Sequence, residues 1–293
     1  EFSANENFFS GKIPNFRGNR DGIRLVKLDL RNNELSGTIP SVFSILSSLD
    51  FLYLEDNDLS GRIPDPLPVS LRKFSIGSNR FNSRLPNNFG ELTNLKLFWV
   101  QSNALTGTIP SELGLLTNLV NFDISENNFT GSLPTEIGRL TRLERLCVFE
   151  NNLTGAIPAE MEELVVLEDL RMGGNQFNGT ISQGIGLLTN LERLDLENNN
   201  LDGSIPTELG NLDRLVRLFL SRNSITGSIP SEFGMLTELE LLSLSRNQLN
   251  GTIPSTLGRL TTAEMIFLEE NSLKGSLPDE LCSLQTNSLQ FDC

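Results

Sequence analysis

Apolar and polar residues alternate in short stretches along this chain, and the same stretch returns at a nearly constant interval. Between Leu188 and Leu212 the sequence reads LTNLERLDLENNNLDGSIPTELGNL. Alternation over a few residues is typical of a β-strand that buries one face. One strand of this length buries little surface, so we predict parallel strands stacked side by side, one from each repeat.

An asparagine marks one position of every repeat. The twelve are Asn7, Asn33, Asn57, Asn79, Asn103, Asn127, Asn151, Asn175, Asn199, Asn223, Asn247 and Asn271, and nine of the eleven intervals are 24 residues. We predict that these side chains turn inward and form hydrogen bonds with the backbone of neighbouring coils. The glycine and proline of the following GxIP stretch then turn the chain toward the opposite side, where a short helical turn such as residues 231–236 brings it back.

The full repeat resembles a known type. The string L-x-x-L-x-L-x-x-N-x-L, continued as in LTGTIPSELGLLTNL, is similar to the plant-type leucine-rich repeat of plant receptor-kinase ectodomains, of inhibitors of cell-wall-degrading enzymes and of secreted diatom proteins. The resemblance implies an α/β repeat solenoid, a right-handed superhelix with a parallel β-sheet on the concave side and short helical or 3-10 segments on the convex side. We predict a solenoid of about twelve repeats over residues 1–281 and a capping segment over residues 282–293.

The register of the repeat predicts which strand residues face solvent. Phe98 and Val100 occupy the inward leucine positions, so Trp99, the chain's single tryptophan, is expected to point outward onto the concave sheet. Contiguous exposed apolar residues indicate a contact surface, and Trp and Tyr are enriched at binding hot spots. The predicted apolar surface for a peptide or protein ligand consists of Phe51, Tyr53, Leu97, Trp99 and Phe149.

A second candidate surface lies further along the same predicted sheet. Arg193 and Arg217 stand side by side, near Phe219 and Phe267. Because arginine offers paired donors to a carboxylate, this surface is a candidate site for an anionic group such as a peptide carboxylate. A solvated arginine strip without a ligand explains the same pattern.

Composition narrows the classes of function. With 37 acidic and 23 basic residues the net charge is −14, which opposes binding to nucleic acid or to an anionic membrane. No run reaches the roughly 18 apolar residues of a spanning helix, so we expect no direct membrane insertion by this part of the chain. Histidine is absent, and no P-loop, metal cluster or catalytic triad is recognisable. We therefore predict a protein that is not an enzyme and needs no cofactor.

Cysteines and sequons bear on the compartment. Cys282 and Cys293 follow the last repeat, and in an oxidising compartment they can close a short loop by a disulfide. The LC…DC ending resembles the cap of diatom-type secreted repeats, which leaves open that Cys293 pairs with a cysteine beyond this chain. Four N-x-[ST] sequons begin at Asn128, Asn152, Asn178 and Asn250. Together these features predict an extracellular or cell-surface protein. The chain starts without Met and inside a strand pattern, so we also expect further sequence upstream.

Three functions fit this pattern. The first is an extracellular ligand-recognition domain, a receptor ectodomain or secreted binding protein, whose concave sheet contacts a peptide or protein and which the resemblance also links to a co-receptor. The second is an inhibitor of a secreted polysaccharide-degrading enzyme. The third is binding to ice or a mineral surface, because hydroxyl residues recur on one flank at Thr38, Thr108, Ser132, Thr180, Ser204, Ser228, Thr252 and Ser276. Arg62, Arg84 and Ala156 interrupt this series, and a second short strand in plant-type repeats places small polar residues there in any case.

Overall fold

The computed structural model describes residues 1–15 and 24–282, without the side chain of Cys282. The chain divides into two compact units, Glu1–Asn152 and Leu153–Cys293. The predicted cap and its Cys282–Cys293 disulfide lie outside the described residues. That residues 1–281 form one solenoid domain remains a prediction.

In the described part of the first unit, seven short parallel strands form a main sheet at the predicted repeat positions. They are β1 (Phe2–Ser3), β3 (Lys27–Asp29), β5 (Phe51–Tyr53), β7 (Lys73–Ser75), β9 (Leu97–Trp99), β11 (Asn121–Asp123) and β13 (Arg145–Cys147). A second row of strands follows the asparagines on one flank: β2 (Ser10–Lys12), β4 (Glu34–Gly37), β6 (Asp58–Gly61), β8 (Arg80–Phe81), β10 (Thr106–Thr108) and β12 (Asn128–Gly131). Strands β2, β4, β6 and β8 pair in that order, and β10 pairs with β12.

The second unit repeats this plan. Its main-sheet strands are β15 (Asp169–Arg171), β17 (Arg193–Asp195), β19 (Arg217–Phe219), β20 (Leu241–Ser243) and β21 (Met265–Phe267). The flank strands are β14 (Asn152–Ala156), β16 (Gln176–Thr180) and β18 (Asn200–Asp202), which pair in that order, and a short helix α1 spans Asp279–Cys282. The predicted parallel strands and the α/β repeat architecture are confirmed.

Short 3-10 helices return the chain on the side opposite each main sheet. In the first unit they span Ser41–Ile45, Phe89–Glu91, Ser111–Leu115 and Thr135–Arg139; in the second they span Ala159–Glu163, Gln183–Leu187, Thr207–Asn211, Ser231–Met235 and Ser255–Arg259. Residues 62–72 form no helix because Pro64, Pro66 and Pro68 lack the backbone N–H that a helix requires.

The inward strand residues form a core between the main sheet and the returning segments. Phe98 on β9 is fully buried, and its ring stacks on Phe74 at 5.5 Å and on Phe122 at 5.7 Å between ring centroids. Phe89 meets the same ring edge-on at 5.1 Å. The predicted inward orientation of Phe98 and Val100 is confirmed.

The repeated asparagines connect successive coils as predicted. The amide nitrogen of Asn127 donates to the carbonyl oxygens of Val100, Ile124 and Ser125 at 3.0 to 3.1 Å, and its oxygen accepts from the Leu105 N–H at 2.9 Å. Asn127 is 7% exposed, so the backbone replaces water as its hydrogen-bond partner. Each such side chain therefore fixes the spacing of two coils.

Candidate functional site

The main sheet of the first unit has an open face, the side directed away from the core. On this face Tyr53 of β5 lies in register with Ser75 of β7, and Ser75 lies in register with Trp99 of β9. Tyr53 and Trp99 are partly exposed, whereas Ser75 is fully buried. Two aromatic side chains thus stand on either side of a strand with a small side chain. We call the part of the open face over Ser75, between Tyr53 and Trp99, the aromatic gap.

The other predicted apolar residues lie on the same open face. Phe51 and Leu97 begin strands β5 and β9, are partly exposed, and are separated by Lys73 of β7 in the same register. Phe149 follows β13, two strands beyond β9, and is also partly exposed. The structure therefore places Phe51 and Leu97 beside the aromatic gap and Phe149 at a distance from it.

Both aromatic rings of the gap have defined neighbours. The indole N–H of Trp99 donates to Oδ1 of Asn121 at 2.9 Å, which restrains the ring. The Arg31 guanidinium lies 4.8 Å and the Lys27 amine 5.8 Å from the centroid of the Tyr53 ring. Both cations come from the β3 side of Tyr53, whereas the gap lies on its β7 side.

An ion pair with the buried carboxylate of Asp29 lies beside Tyr53 on its β3 side, and the sequence patterns above did not single it out. The Asp29 carboxylate accepts hydrogen bonds from Nε and Nη2 of Arg31 at 2.9 and 2.8 Å, and Lys27 Nζ lies 3.4 Å away. Burial alone would raise the pKa of Asp29, but the hydrogen bonds and the charge of Arg31 outweigh it and hold that pKa below its ordinary value. The local signal was an Asp at the end of β3 with an Arg two residues later.

Replacing Asp29 by asparagine is expected to lower the free energy of unfolding at pH 7 by about 1 to 2 kcal/mol, since charge-assisted hydrogen bonds to Arg31 are lost. The folded pKa of Asp29 lies below the unfolded one, so this stabilisation is present above roughly pH 4 and is lost as pH falls through the folded pKa. Urea unfolding of both proteins at several pH values measures the difference. Asp58→Asn, which removes an exposed ion pair with Arg80, is the control and should cost under about 1 kcal/mol. Equal costs for the two variants would contradict the prediction.

The floor of the aromatic gap is polar and buried. Glu55 follows β5 and is 7% exposed, and Gln101 follows β9. Within the described residues, Glu55 Oε2 and Gln101 Oε1 are buried and have no hydrogen-bond partner. Burial raises the pKa of Glu55, although the nearby Ser75 hydroxyl and the Arg31 charge act in the opposite direction. Unpaired buried acceptors are uncommon because each costs the free energy of its lost hydration.

In the second unit the predicted arginines are engaged with acidic neighbours. Arg193 Nη2 donates to Asp195 Oδ2 at 2.8 Å, and the guanidinium lies 4.6 Å from the centroid of the Phe219 ring. Arg217, in register beside Arg193, has its Nη2 3.8 Å from Oε2 of Glu240. An anionic ligand would have to displace these carboxylates. In the structure, both arginines thus have acidic partners within the protein, as the alternative of an arginine strip without a ligand requires.

The remaining predicted site residues are on the surface. Phe267 on β21 is 40% exposed. The four sequon asparagines have exposed side chains; they are Asn128, Asn152, Asn178 and Asn250. Asn127 and Asn151, which directly precede two of them, are buried. The four sequon asparagines are accessible for glycosylation, which stays a prediction. Cys147 is buried in the main sheet.

No helix within residues 1–15 and 24–282 combines the length and apolar character required to cross a membrane. No group of three or more Cys, Asp or Glu side chains in this part of the chain is arranged to hold a metal ion.

Comparison with known sequences identifies the repeats. The leucine-rich repeat model matches residues 24–46, 118–140, 190–212, 214–236 and 238–260. Receptor-like protein 35 of Arabidopsis thaliana is 39% identical over 98 residues, which cover 33% of this chain and 10% of that protein. Receptor-like protein 32 of the same plant is 36% identical over 96 residues, 32% of this chain and 11% of that protein. The chain contains leucine-rich repeats, and it matches about a tenth of the length of these relatives.

Comparison with solved structures finds the same type of repeat over almost the whole chain. The plant peptide hormone receptor RGFR1 in complex with RGF2 has a TM-score of 0.86 at 33% identity, over 97% of this chain and 50% of that one. The ectodomain of the Arabidopsis thaliana receptor kinase GASSHO1/SCHENGEN3, in complex with CASPARIAN STRIP INTEGRITY FACTOR 2, has a TM-score of 0.84 at 33% identity, over 97% of this chain and 37% of that one. The repeats of the present chain are therefore of the kind found in plant receptor ectodomains, which confirms the resemblance inferred from the GxIP repeats.

Proposed function

We propose that this chain is the ligand-recognition part of an extracellular receptor or receptor-like protein, and that the open face of its first unit binds a peptide. The aromatic gap carries the proposal. Tyr53 and Trp99 are partly exposed on a rigid sheet, and the strand between them offers only the buried Ser75 hydroxyl at the same level.

The gap has the physical properties of a binding hot spot. Large aromatic side chains contribute much apolar contact area and have few rotatable bonds. The hydrogen bond from Trp99 to Asn121 and the cations beside Tyr53 hold both rings before any ligand arrives. Binding a peptide here would therefore order few protein side chains, which lowers the entropic cost of association.

The comparisons support the same class of ligand. RGFR1 was solved with RGF2 and GASSHO1/SCHENGEN3 with CASPARIAN STRIP INTEGRITY FACTOR 2, and both are about as similar to this chain in sequence as the curated relatives. A further receptor kinase, HAESA, was solved with the peptide hormone IDA and the co-receptor SERK1, at 27% identity and a TM-score of 0.78. An extracellular location and a co-receptor are accordingly part of the proposal.

Selection of a displayed peptide library against the purified protein tests the proposal. We expect selection from a random peptide library to enrich binders, and Tyr53→Ala and Trp99→Ala each to weaken them by about 30-fold or more, as for a hot-spot residue. Phe267→Ala, which removes an exposed aromatic residue from the second unit, serves as the control and should leave the affinity unchanged.

The same variants are checked by thermal unfolding, so that lost binding is not mistaken for lost structure. Selected peptides that bind both gap variants with wild-type affinity would refute a binding site at the gap. Failure to select any peptide that binds the first unit would refute the proposed function as a whole.

A second function is favoured by a different observation. In the second unit the flank carries exposed hydroxyl residues in five successive repeats after Ala156, at Thr180, Ser204, Ser228, Thr252 and Ser276. A plant ice-binding protein shares the fold, with a TM-score of 0.64 at 25% identity over 87% of this chain and 74% of that one. An ice-recrystallisation assay decides this point, because an ice-binding protein keeps crystals small at low concentration and a peptide receptor does not. The inhibitor alternative has no such observation of its own.

A further inference from the structure

The floor of the aromatic gap holds buried acceptors, with the Ser75 hydroxyl as a donor beside them. Glu55 Oε2 and Gln101 Oε1 are buried acceptors without a partner among the described residues. A carboxylate can accept several hydrogen bonds, and an amide oxygen can accept two. Acceptors left unpaired on two coils of the same face indicate a position where a bound group supplies N–H donors.

Gly77 lies on the coil between those of Glu55 and Gln101. The Asp56 N–H donates to the Gly77 carbonyl at 3.1 Å and the Ser78 N–H to the Gln101 carbonyl at 2.9 Å, so the residues that follow β5, β7 and β9 remain side by side. A Cβ atom on Gly77 would lie only 2.5 to 2.8 Å from the amide group of Gln101. The missing side chain thus lets Gln101 lie across Gly77, in the direction of Glu55.

The N–H donors nearest the gap are already used, and the Ser75 hydroxyl is the donor that remains beside Glu55. The Arg31 guanidinium forms its two hydrogen bonds with Asp29, and the indole N–H of Trp99 is donated to Asn121. Glu55 therefore remains a buried carboxylate whose charge is not matched by an ion pair within the described residues.

The walls and the floor of the gap select the same kind of group. Aromatic faces attract cations through the ring quadrupole, and a carboxylate attracts them by its charge. Tyr53 already has Arg31 and Lys27 near its ring on the β3 side, so this environment accommodates cations. A planar guanidinium offers several N–H donors in one plane and can stack on aromatic rings while it donates to separate acceptors.

We propose that the aromatic gap is a subsite for an arginine side chain of the bound peptide, whose guanidinium donates to Glu55 and Gln101 and lies between Tyr53 and Trp99. This rests on the proposed function, because it assigns one residue of the peptide that the open face binds. The net charge of −14 favours such a ligand, since it attracts cationic peptides at long range.

A metal ion is a poorer fit for the same place. Calcium takes six to eight oxygen ligands, commonly from several carboxylates, whereas the floor of the gap offers one carboxylate, one amide oxygen and the Ser75 hydroxyl. Aromatic walls add nothing to metal coordination but contribute directly to the binding of an organic cation.

The chain's single tryptophan makes the subsite observable without knowledge of the natural ligand. Trp99 fluorescence is titrated with N-acetyl-arginine amide, with the lysine analogue, and with N-acetyl-citrulline amide, which has nearly the shape of the arginine compound but no charge. We expect saturable binding of the arginine probe, and binding of the citrulline probe weaker by about tenfold or more, because charge-assisted hydrogen bonds are lost. Comparable binding of the arginine and citrulline probes would overturn the proposal. Stronger binding of the lysine probe would also overturn it, because the subsite would then prefer an ammonium group to a guanidinium.

Three variants connect the probe to the floor of the gap. Glu55→Gln keeps the shape of the side chain and should weaken the arginine probe by about tenfold or more, and Gln101→Ala should weaken it to a smaller extent. Glu269→Gln removes one charge at the equivalent repeat position in the second unit, where the side chain is exposed, and should have no effect. Wild-type binding of arginine by Glu55→Gln would overturn the proposal. Circular dichroism verifies that the variants are folded.

Display-selected peptides separate this inference from the proposed function. Peptides that lose affinity in Trp99→Ala and carry no enriched arginine would leave peptide recognition standing and remove the arginine subsite. Enriched arginine that disappears when the selection is repeated on Glu55→Gln would support both.

Discussion

Phe98→Ala is expected to lower the free energy of unfolding by about 3 to 5 kcal/mol, as for other large aromatic residues deleted from a packed core. Phe98 is fully buried, and its ring contacts three aromatic rings at centroid distances of 5.1 to 5.7 Å. Those rings come from different coils, so the cavity would open where successive repeats pack together. Chemical denaturation followed by circular dichroism measures the loss.

The next residue along the chain provides a matched control. Trp99 is larger than Phe98 but partly exposed on the open face, so Trp99→Ala should cost under about 1.5 kcal/mol of stability while it removes peptide binding. The two substitutions are therefore expected to separate stability from function within a single strand. Similar losses of stability for both would contradict the predicted alternation of core and surface in β9.

Asn127→Ala is expected to destabilise the first unit by about 3 to 4 kcal/mol. The substitution removes four hydrogen bonds at once and leaves the Leu105 N–H and backbone carbonyls of two coils buried without these partners. No water reaches the site to replace the amide, because Asn127 is 7% exposed in the folded protein. Urea unfolding of the variant measures this cost.

Asn94→Ala tests whether the effect belongs to the buried position. Asn94 is exposed and donates one hydrogen bond, to the Val69 carbonyl at 3.3 Å. Its replacement should cost under about 1 kcal/mol, because water can take over a surface hydrogen bond. A cost for Asn127→Ala no larger than for Asn94→Ala would mean that the buried asparagines do not hold the coils together.

The period of the sequence was sufficient to orient the strand around Trp99. Read alone, the run LFWV is apolar throughout and would be assigned to a core. Comparison with the repeats 24 residues away places Phe98 and Val100 inward and Trp99 outward, and the structure agrees. The same comparison predicted the hydrogen bonding of the asparagines, because a buried amide at a fixed position after a strand can only be satisfied by the backbone.

The chemistry of the gap was less accessible from the pattern. Tyr53 and Trp99 were recognisable as neighbours across one strand, but Glu55 and Gln101 looked like ordinary exposed polar residues. Their burial depends on how their side chains lean, and for Gln101 on the absence of a side chain at Gly77. Arg193 was likewise expected to be available to a ligand, and only the folded geometry brings it to Asp195 and Phe219.

The sequence by itself thus determined the repeat, the parallel strands, the inward and outward alternation, and the class of protein. These follow from the spacing of leucine, asparagine, glycine and proline, because backbone periodicity and burial act in the same way in every repeat. Tertiary structure alone decided which polar side chains are buried, paired or left without a partner. That outcome depends on contacts of a few ångströms between side chains from different coils, which no pattern along one chain records.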